Sequence, residues 1–307
     1  MGTVNLKTGL SPAVWGAGVG VLLLGFVHFL TTAGGGDGLL RPIQGSFFDF
    51  IGSYFSFFFT TVPGLIVLVA TIVIYIAATV SVQGTSGTEK DFTAVTRGLL
   101  IGIGSGMNGL LAYNIYGGWF GQTVGLILGI ILFVLGFIAA FSVVSQSGVY
   151  QGFVGWLSWL APMSWVVLGI GLLLLVISLI LGLVGLAGVD FLKLGGDASA
   201  GTSVKGKYAD ASWSTGTFFL IGGLGSNANY AKTAYNMGNI AFIHRKASSD
   251  HTAHESGHNL SLFVFGWIVH LIGAVDENVI GYHATAFTEL LAESHDPSSG
   301  AKLAMWV

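Results

Sequence analysis

The chain has 307 residues, of which 53% are hydrophobic and only 8% charged, with a net charge of -3 and no cysteine. Soluble globular proteins carry roughly 25% charged residues, so this composition excludes an ordinary water-soluble enzyme and suits a protein solvated partly by lipid. The lack of cysteine excludes disulfides, thiolate metal sites and cysteine nucleophiles, and with no basic stripe nothing points to nucleic acid as a partner.

Residues 1–187 carry eight charged side chains and the last 120 residues carry 17. Histidine is skewed further: His28 is alone in the first part, and the other seven fall between His244 and His295. The sequence therefore predicts a lipid-facing domain over 1–187, a linker over 188–212 and a water-facing domain over 213–307. Four stretches, 11–33, 62–83, 121–145 and 161–187, reach the roughly 20 apolar residues that a bilayer crossing needs. A fifth, 98–116, is rich in glycine and contains Asn108 and Asn114. It reads as a fifth span or as one arm of a re-entrant hairpin. Residues 47–61 are strongly aromatic but short and predict an interfacial helix leading to Pro63. Residues 151–160 also read as interfacial, because Trp156 and Trp159 favour the headgroup level. The first span has no basic n-region before it and no small-residue cleavage site after it, so it is expected to remain as an anchor.

Glycine recurs at helix-packing intervals: Gly98 and Gly102, Gly125 and Gly129, and Gly16, Gly18 and Gly20. Small residues let helix backbones approach closely in lipid. They predict a tightly packed anchor or, alternatively, a homo-oligomeric assembly or pore. No ionisable residue lies mid-span except His28, near the end of the first, and this argues against a proton relay. The expectation is an integral membrane protein, of a bacterial cytoplasmic membrane, with the side of its C-terminal domain undetermined.

In the last third, 215–223 has the β-branched and aromatic content of a strand. Residues 225–239 read as a loop with a short helix, and 240–246 as a half-buried strand of alternating polarity. Ser248, Ser249 and Asp250 offer a helix N-cap. The helix that follows carries HESGH, His254 to His258. Residues i and i+4 share one helix face, so both imidazoles converge on one metal, and Glu255 projects beside it as a general base. Zinc lowers the pKa of a water that it holds to about 7. A catalytic zinc site needs a third protein ligand. Val264 stands where the metzincin continuation would place a ligand. The helical stretch 283–296 offers Glu289 as that ligand and Glu293, one turn on, as partner to a ligand histidine; Glu293, His283, His295 and Asp276 are alternative ligands. The apolar run after His258 predicts either a buried core helix or a helix that dips into the bilayer. His270 falls about three turns beyond His258 on the same face, as a core or interfacial histidine.

HESGH followed by ELLAE resembles the membrane-bound gluzincins, among them the bacterial heat-shock membrane metallopeptidases and the CAAX prenyl proteases. Their E-x-x-A-D pattern corresponds to Glu289, Ala292 and Glu293. The resemblance implies an α+β zincin-like metallopeptidase domain behind a multi-span helical anchor, one zinc per chain, and endopeptidase action on a peptide or membrane-protein substrate. It also implies an edge strand for extended substrate, which places Ile240, Ala241, Phe242 and Ile243 along the cleft with their edge unpaired. Two other functions compete: a non-enzymatic membrane assembly or pore with a structural metal, and a membrane-inserting toxin that carries a metallopeptidase domain.

Overall fold

The computed structural model describes residues 11–40, 47–82, 87–145, 147–183, 209–221, 234–243, 249–280 and 286–293. It is mainly helical, with one small sheet, and divides into two units between Ser145 and Gln146. The charge gradient predicts a boundary near 188. The units part earlier because the last predicted span packs on the sheet of the second.

The first unit holds α1 (Pro12–Ala33), α2 (Phe47–Thr60), α3 (Val62–Val82), α4 (Gly87–Phe120), α5 (Gln122–Phe137) and the short α6 (Ser142–Ser145). Ser11 caps α1, its hydroxyl accepting from the Val14 amide at 3.4 Å, and Pro12 occupies the first turn, where its missing N–H costs nothing. α4 runs 34 residues without a break, about 51 Å at 1.5 Å per residue. The stretch 98–116 is therefore the middle of one long helix and not a hairpin arm. Leu100, Ile101, Ser105, Met107, Asn108 and Ile115 along it are buried, with α1, α3 and α5 packed against it. α1, α3 and α5 instead expose large apolar side chains such as Leu22, Phe26, Val73, Ile76, Ile127 and Ile130. Exposed apolar surface on this scale is a liability in water and the expected outer face in lipid.

The glycines explain how α4 is enclosed. A Cβ at Gly98 would stand 2.1 Å from the Ala13 carbonyl oxygen, and one at Gly102 2.2 Å from that of Ala17. On the far side, a Cβ at Gly125 would meet the Tyr113 carbonyl at 2.4 Å. Both GxxxG steps thus bring α1 and α5 onto α4 within one chain.

The second unit holds α7 (Gly148–Leu157), α8 (Trp165–Leu183), β1 (Ala209–Ser212), β2 (Thr217–Ile221), β3 (Ala234–Met237), β4 (Ile240–Ile243), α9 (Ser249–Val275) and α10 (Phe287–Glu293). The sheet order is β1-β2-β4-β3, antiparallel except for the parallel β2–β4 pair. Residues 209–212, expected in the linker, are β1. Residues 234–237, expected in a loop or helix, are β3, which turns back at Gly238 and Asn239 into β4. β4 was expected to alternate; instead Ile240, Ala241, Phe242 and Ile243 are all buried, as befits a central strand covered on both faces. Ile240 and Phe242 pack with Leu220 against Leu174 and Leu175 of α8, and Ala241 and Ile243 pack with Phe219 on the other face.

Among the described residues, five helices are long and apolar enough to cross a membrane: α1, α3, α5 with the turn after it, α8 with the turn before it, and the Ala253–Val275 part of α9. The first four match the predicted spans. The fifth does not cross as one rod, since Gly266 breaks it with φ 83° and ψ 175° and its window is 72% buried within the protein. It is the core helix of its unit. His244, Arg245 and Lys246, the cap residue Ser248, and the ligand alternatives His283 and His295 lie outside the described residues.

Candidate metal centre

α9 carries His254, Glu255 and His258 in its first half. The i, i+4 spacing brings the two imidazoles together, with their Nε2 atoms 3.1 Å apart. Glu289 comes from α10, which is held in place by its own apolar side: Phe287, Leu291 and Ala292 are fully buried, and the Phe287 ring meets that of Phe265 at 6.4 Å. Glu289 then reaches both histidines, Oε2 to His254 Nε2 at 3.1 Å and Oε1 to His258 Nε2 at 3.3 Å. One ligand atom from each of the three residues fits within a 4.8 Å group that can hold a metal ion. Asp276, buried in the π-helical turn after α9, is not in that group. Glu293 ends α10, and its side chain lies outside the described residues.

Glu255 is 3% exposed, and its Oε2 has no hydrogen-bond partner among the described residues. Burial pushes its carboxyl up to about 7, against the opposing pull of His258 and His254. Burial acts to raise Glu289 as well, but His258 and His254 outweigh it and hold that carboxyl well below the usual carboxylate range. The two carboxyls are thus pushed in opposite directions, Glu255 up by burial and Glu289 down by the two imidazoles.

His270 joins the site, contrary to its expected place three turns further along. The break at Gly266 turns the second half of α9 back, so that the His270 ring lies 5.8 Å from that of His258. Burial, helped by His258, lowers His270 to about 4 and keeps it neutral. Its Nε2 donates to the Asn236 carbonyl at 3.3 Å, and the Asn236 side-chain amide donates to the Glu255 carbonyl at 2.9 Å.

These bonds correct the strand assignment. Ile240 to Ile243 pair with β2 on one side and β3 on the other, so no edge of β4 is free to receive a substrate. Among the described residues, the edge strand beside the motif helix is β3, Ala234–Met237, fixed to it through Asn236. The sequence concealed this, because a four-residue strand with a central asparagine carries little β signal.

A second feature absent from the sequence reading is a buried polar knot behind the motif. Asn259, next to His258, accepts from Ser158 Oγ at 2.8 Å and donates to the Thr215 carbonyl at 2.9 Å. Asn239, from the β3–β4 turn, donates to Ser158 Oγ at 2.7 Å and to the Gly216 carbonyl at 3.0 Å. Ser158, Asn239 and Asn259 are all fully buried. The knot ties the end of α7, the β1–β2 turn and the β3–β4 turn to the motif helix.

No family model, curated protein or solved structure matches this chain.

Proposed function

We propose that the chain is a membrane-anchored zinc endopeptidase, with His254, His258 and Glu289 as metal ligands and Glu255 as general base. The observation that carries this reading is the convergence of two imidazole nitrogens and a carboxylate from separate helices, with a second, buried carboxyl alongside. The two Nε2 atoms stand 3.1 Å apart, and each lies 3.1–3.3 Å from a different oxygen of Glu289. Tetrahedral coordination at bond lengths near 2.0–2.1 Å calls for neighbouring donors about 3.3 Å apart. Nitrogen with carboxylate oxygen is a donor set that zinc accepts.

When bound, zinc would supply Lewis acidity toward water and the scissile carbonyl. The rest falls to the protein. Glu255, raised to about 7, takes the proton of the attacking water and passes it to the leaving amine. A purely structural metal site has no use for a carboxyl there, so Glu255 favours the enzyme over the structural-metal alternative. β3 is the strand against which an extended peptide would lie, with Asn236 and His270 fixing its position relative to Glu255.

The test is metal analysis of purified full-length protein, together with cleavage of a casein-derived peptide mixture by the protein and by its Glu255→Gln variant. Zinc near one per chain, and cleavage lost in the variant, supports the reading. Protein that binds zinc but cleaves nothing returns the site to a structural role.

A further inference from the structure

The first unit contains a cavity of about 480 Å³ between α1, α4 and α5. Its volume falls in the 300–1,000 Å³ range typical of ligand sites. Its surface is almost wholly hydrocarbon, and His28 is the polar exception worth naming. His28 sits toward the C-terminal end of α1 (Pro12–Ala33), where the span approaches its loop. Its Nδ1 accepts from the Leu39 amide at 3.1 Å. That bond leaves the ring's donor N–H on Nε2. The cavity therefore has a hydrogen-bonding group near the end of a span and apolar walls elsewhere. Its mouth carries Leu126 and Ile130, both about half exposed on the lipid-facing side of α5.

Gly25 lines this cavity from the exposed side of α1. The other packing glycines of α1 answer to neighbours: a Cβ at Gly16 would strike the Val95 carbonyl oxygen at 2.2 Å, and one at Gly20 that of Leu99 at 2.5 Å. Gly25 lines the cavity, and a Cβ there would meet nothing within 4 Å. Gly18, outside the lining, is likewise without a close contact, so what sets Gly25 apart is its place on the cavity wall. What its bare backbone leaves is volume. Gly109, on the opposite wall, is different, because the Phe133 Cβ stands 2.8 Å from where its own Cβ would be.

We propose that this cavity is a binding site for one acyl chain of a bilayer glycerophospholipid, with the ester carbonyl at His28 and the chain running between α1, α4 and α5. Linear hydrocarbon matches the apolar walls, and a carbonyl is the acceptor that an imidazole N–H near the end of a span would meet. The inference does not depend on the peptidase reading, since it uses only the first unit.

The test uses full-length protein in detergent and a phosphatidylglycerol whose acyl chain carries a photoreactive diazirine. Saturable crosslinking to residues of α1, α4 and α5 around Gly25, competed by unlabelled phosphatidylglycerol, is expected. Gly25→Leu, which fills the cavity without a backbone clash, should lower crosslinking at least tenfold. Gly18→Leu is the matched control. It lies on the same helix with nothing within 4 Å of its Cβ and outside the cavity lining, and it should crosslink like the unchanged protein. His28→Phe should keep the chain position and weaken competition about fivefold, the worth of one hydrogen bond. Three results would overturn the proposal: non-saturable labelling spread evenly over all lipid-facing helices, equal labelling of Gly25→Leu and Gly18→Leu, or labelling by a diazirine fatty acid that phosphatidylglycerol does not compete.

Discussion

The His258 and His270 rings stand 5.8 Å apart, nearly perpendicular at 82°, although twelve residues separate them. On an unbroken helix that separation would be about 18 Å at 1.5 Å per residue. Gly266 accounts for the difference. Its φ of 83° lies in a region that side chains with a Cβ rarely occupy, and a Cβ there would sit 2.7 Å from the Met163 side chain. Gly266→Ala should therefore cost about 1–3 kcal/mol and loosen the metal site, because His270 and Asn236 would lose their register. Thermal melting in detergent and zinc content together check this. An unchanged melting temperature would mean that the turn is not required.

Metal binding should depend on all three convergent ligands. His258→Ala and Glu289→Ala should each abolish stoichiometric zinc in purified protein. Chelation should lower the melting temperature of the unchanged chain, since a ligand that binds only the folded state stabilises it by mass action. The comparison that discriminates is Asp276→Ala: this carboxyl lies close in sequence but outside the cluster, so zinc should remain. Loss of zinc from Asp276→Ala with retention in Glu289→Ala would invert the ligand assignment.

Glu255→Gln separates holding the metal from using it. The amide keeps the side chain's size and removes the proton acceptor, so zinc should stay while cleavage falls by roughly 10²–10⁴-fold. Folding should not suffer, because burial already disfavours the charged form of this carboxyl. A variant that cleaves normally would require another base.

What the sequence revealed follows from which interactions are local. The four spans were legible because length and apolarity act residue by residue. His254, Glu255 and His258 were legible because helix geometry converts sequence spacing directly into spatial spacing. Glu289 followed from the same logic on a second short helix. The parts that were not legible depend on distant partners. β3 is four residues long, and it is a strand because β4 lies beside it. His270 comes back to the site through one glycine in an otherwise helical apolar run, which periodicity alone reads as continuous. The reach of α8 onto the sheet was hidden because a strongly apolar span gives the same signal whether lipid or protein covers it.

Close helix approach in the first unit predicts an asymmetry among glycines. Gly102→Leu must displace the Ala17 carbonyl, 2.2 Å from its Cβ, and so separate α1 from α4. Overpacking of this kind typically costs 1–3 kcal/mol, occasionally more. Gly18→Leu meets nothing and should be tolerated. Thermal aggregation of the two variants in the same detergent checks the contrast, and equal stability would contradict the α1–α4 crossing.

The buried knot at Asn259 makes the last prediction, because it joins three segments that are far apart in sequence. Asn259→Leu removes a donor and an acceptor at once. It leaves the Thr215 carbonyl without that donor and the Ser158 hydroxyl without that acceptor, 2.9 and 2.8 Å from their former partner atoms. A buried polar atom deprived of its partner costs about 1–3 kcal/mol; the Thr215 carbonyl bears that cost, while the Ser158 hydroxyl keeps the Gly155 carbonyl at 2.7 Å as acceptor, so the variant should be destabilised although it is more apolar. Ser158→Ala alone should cost less, since Asn239 keeps its bond to the Gly216 carbonyl. The double variant should cost less than the sum of the two, because each single change already breaks the shared Ser158–Asn259 bond. A double-mutant cycle by chemical denaturation measures that coupling directly. Strict additivity would mean that the two side chains act independently, and the knot would then not be what holds the motif helix against the β1–β2 turn.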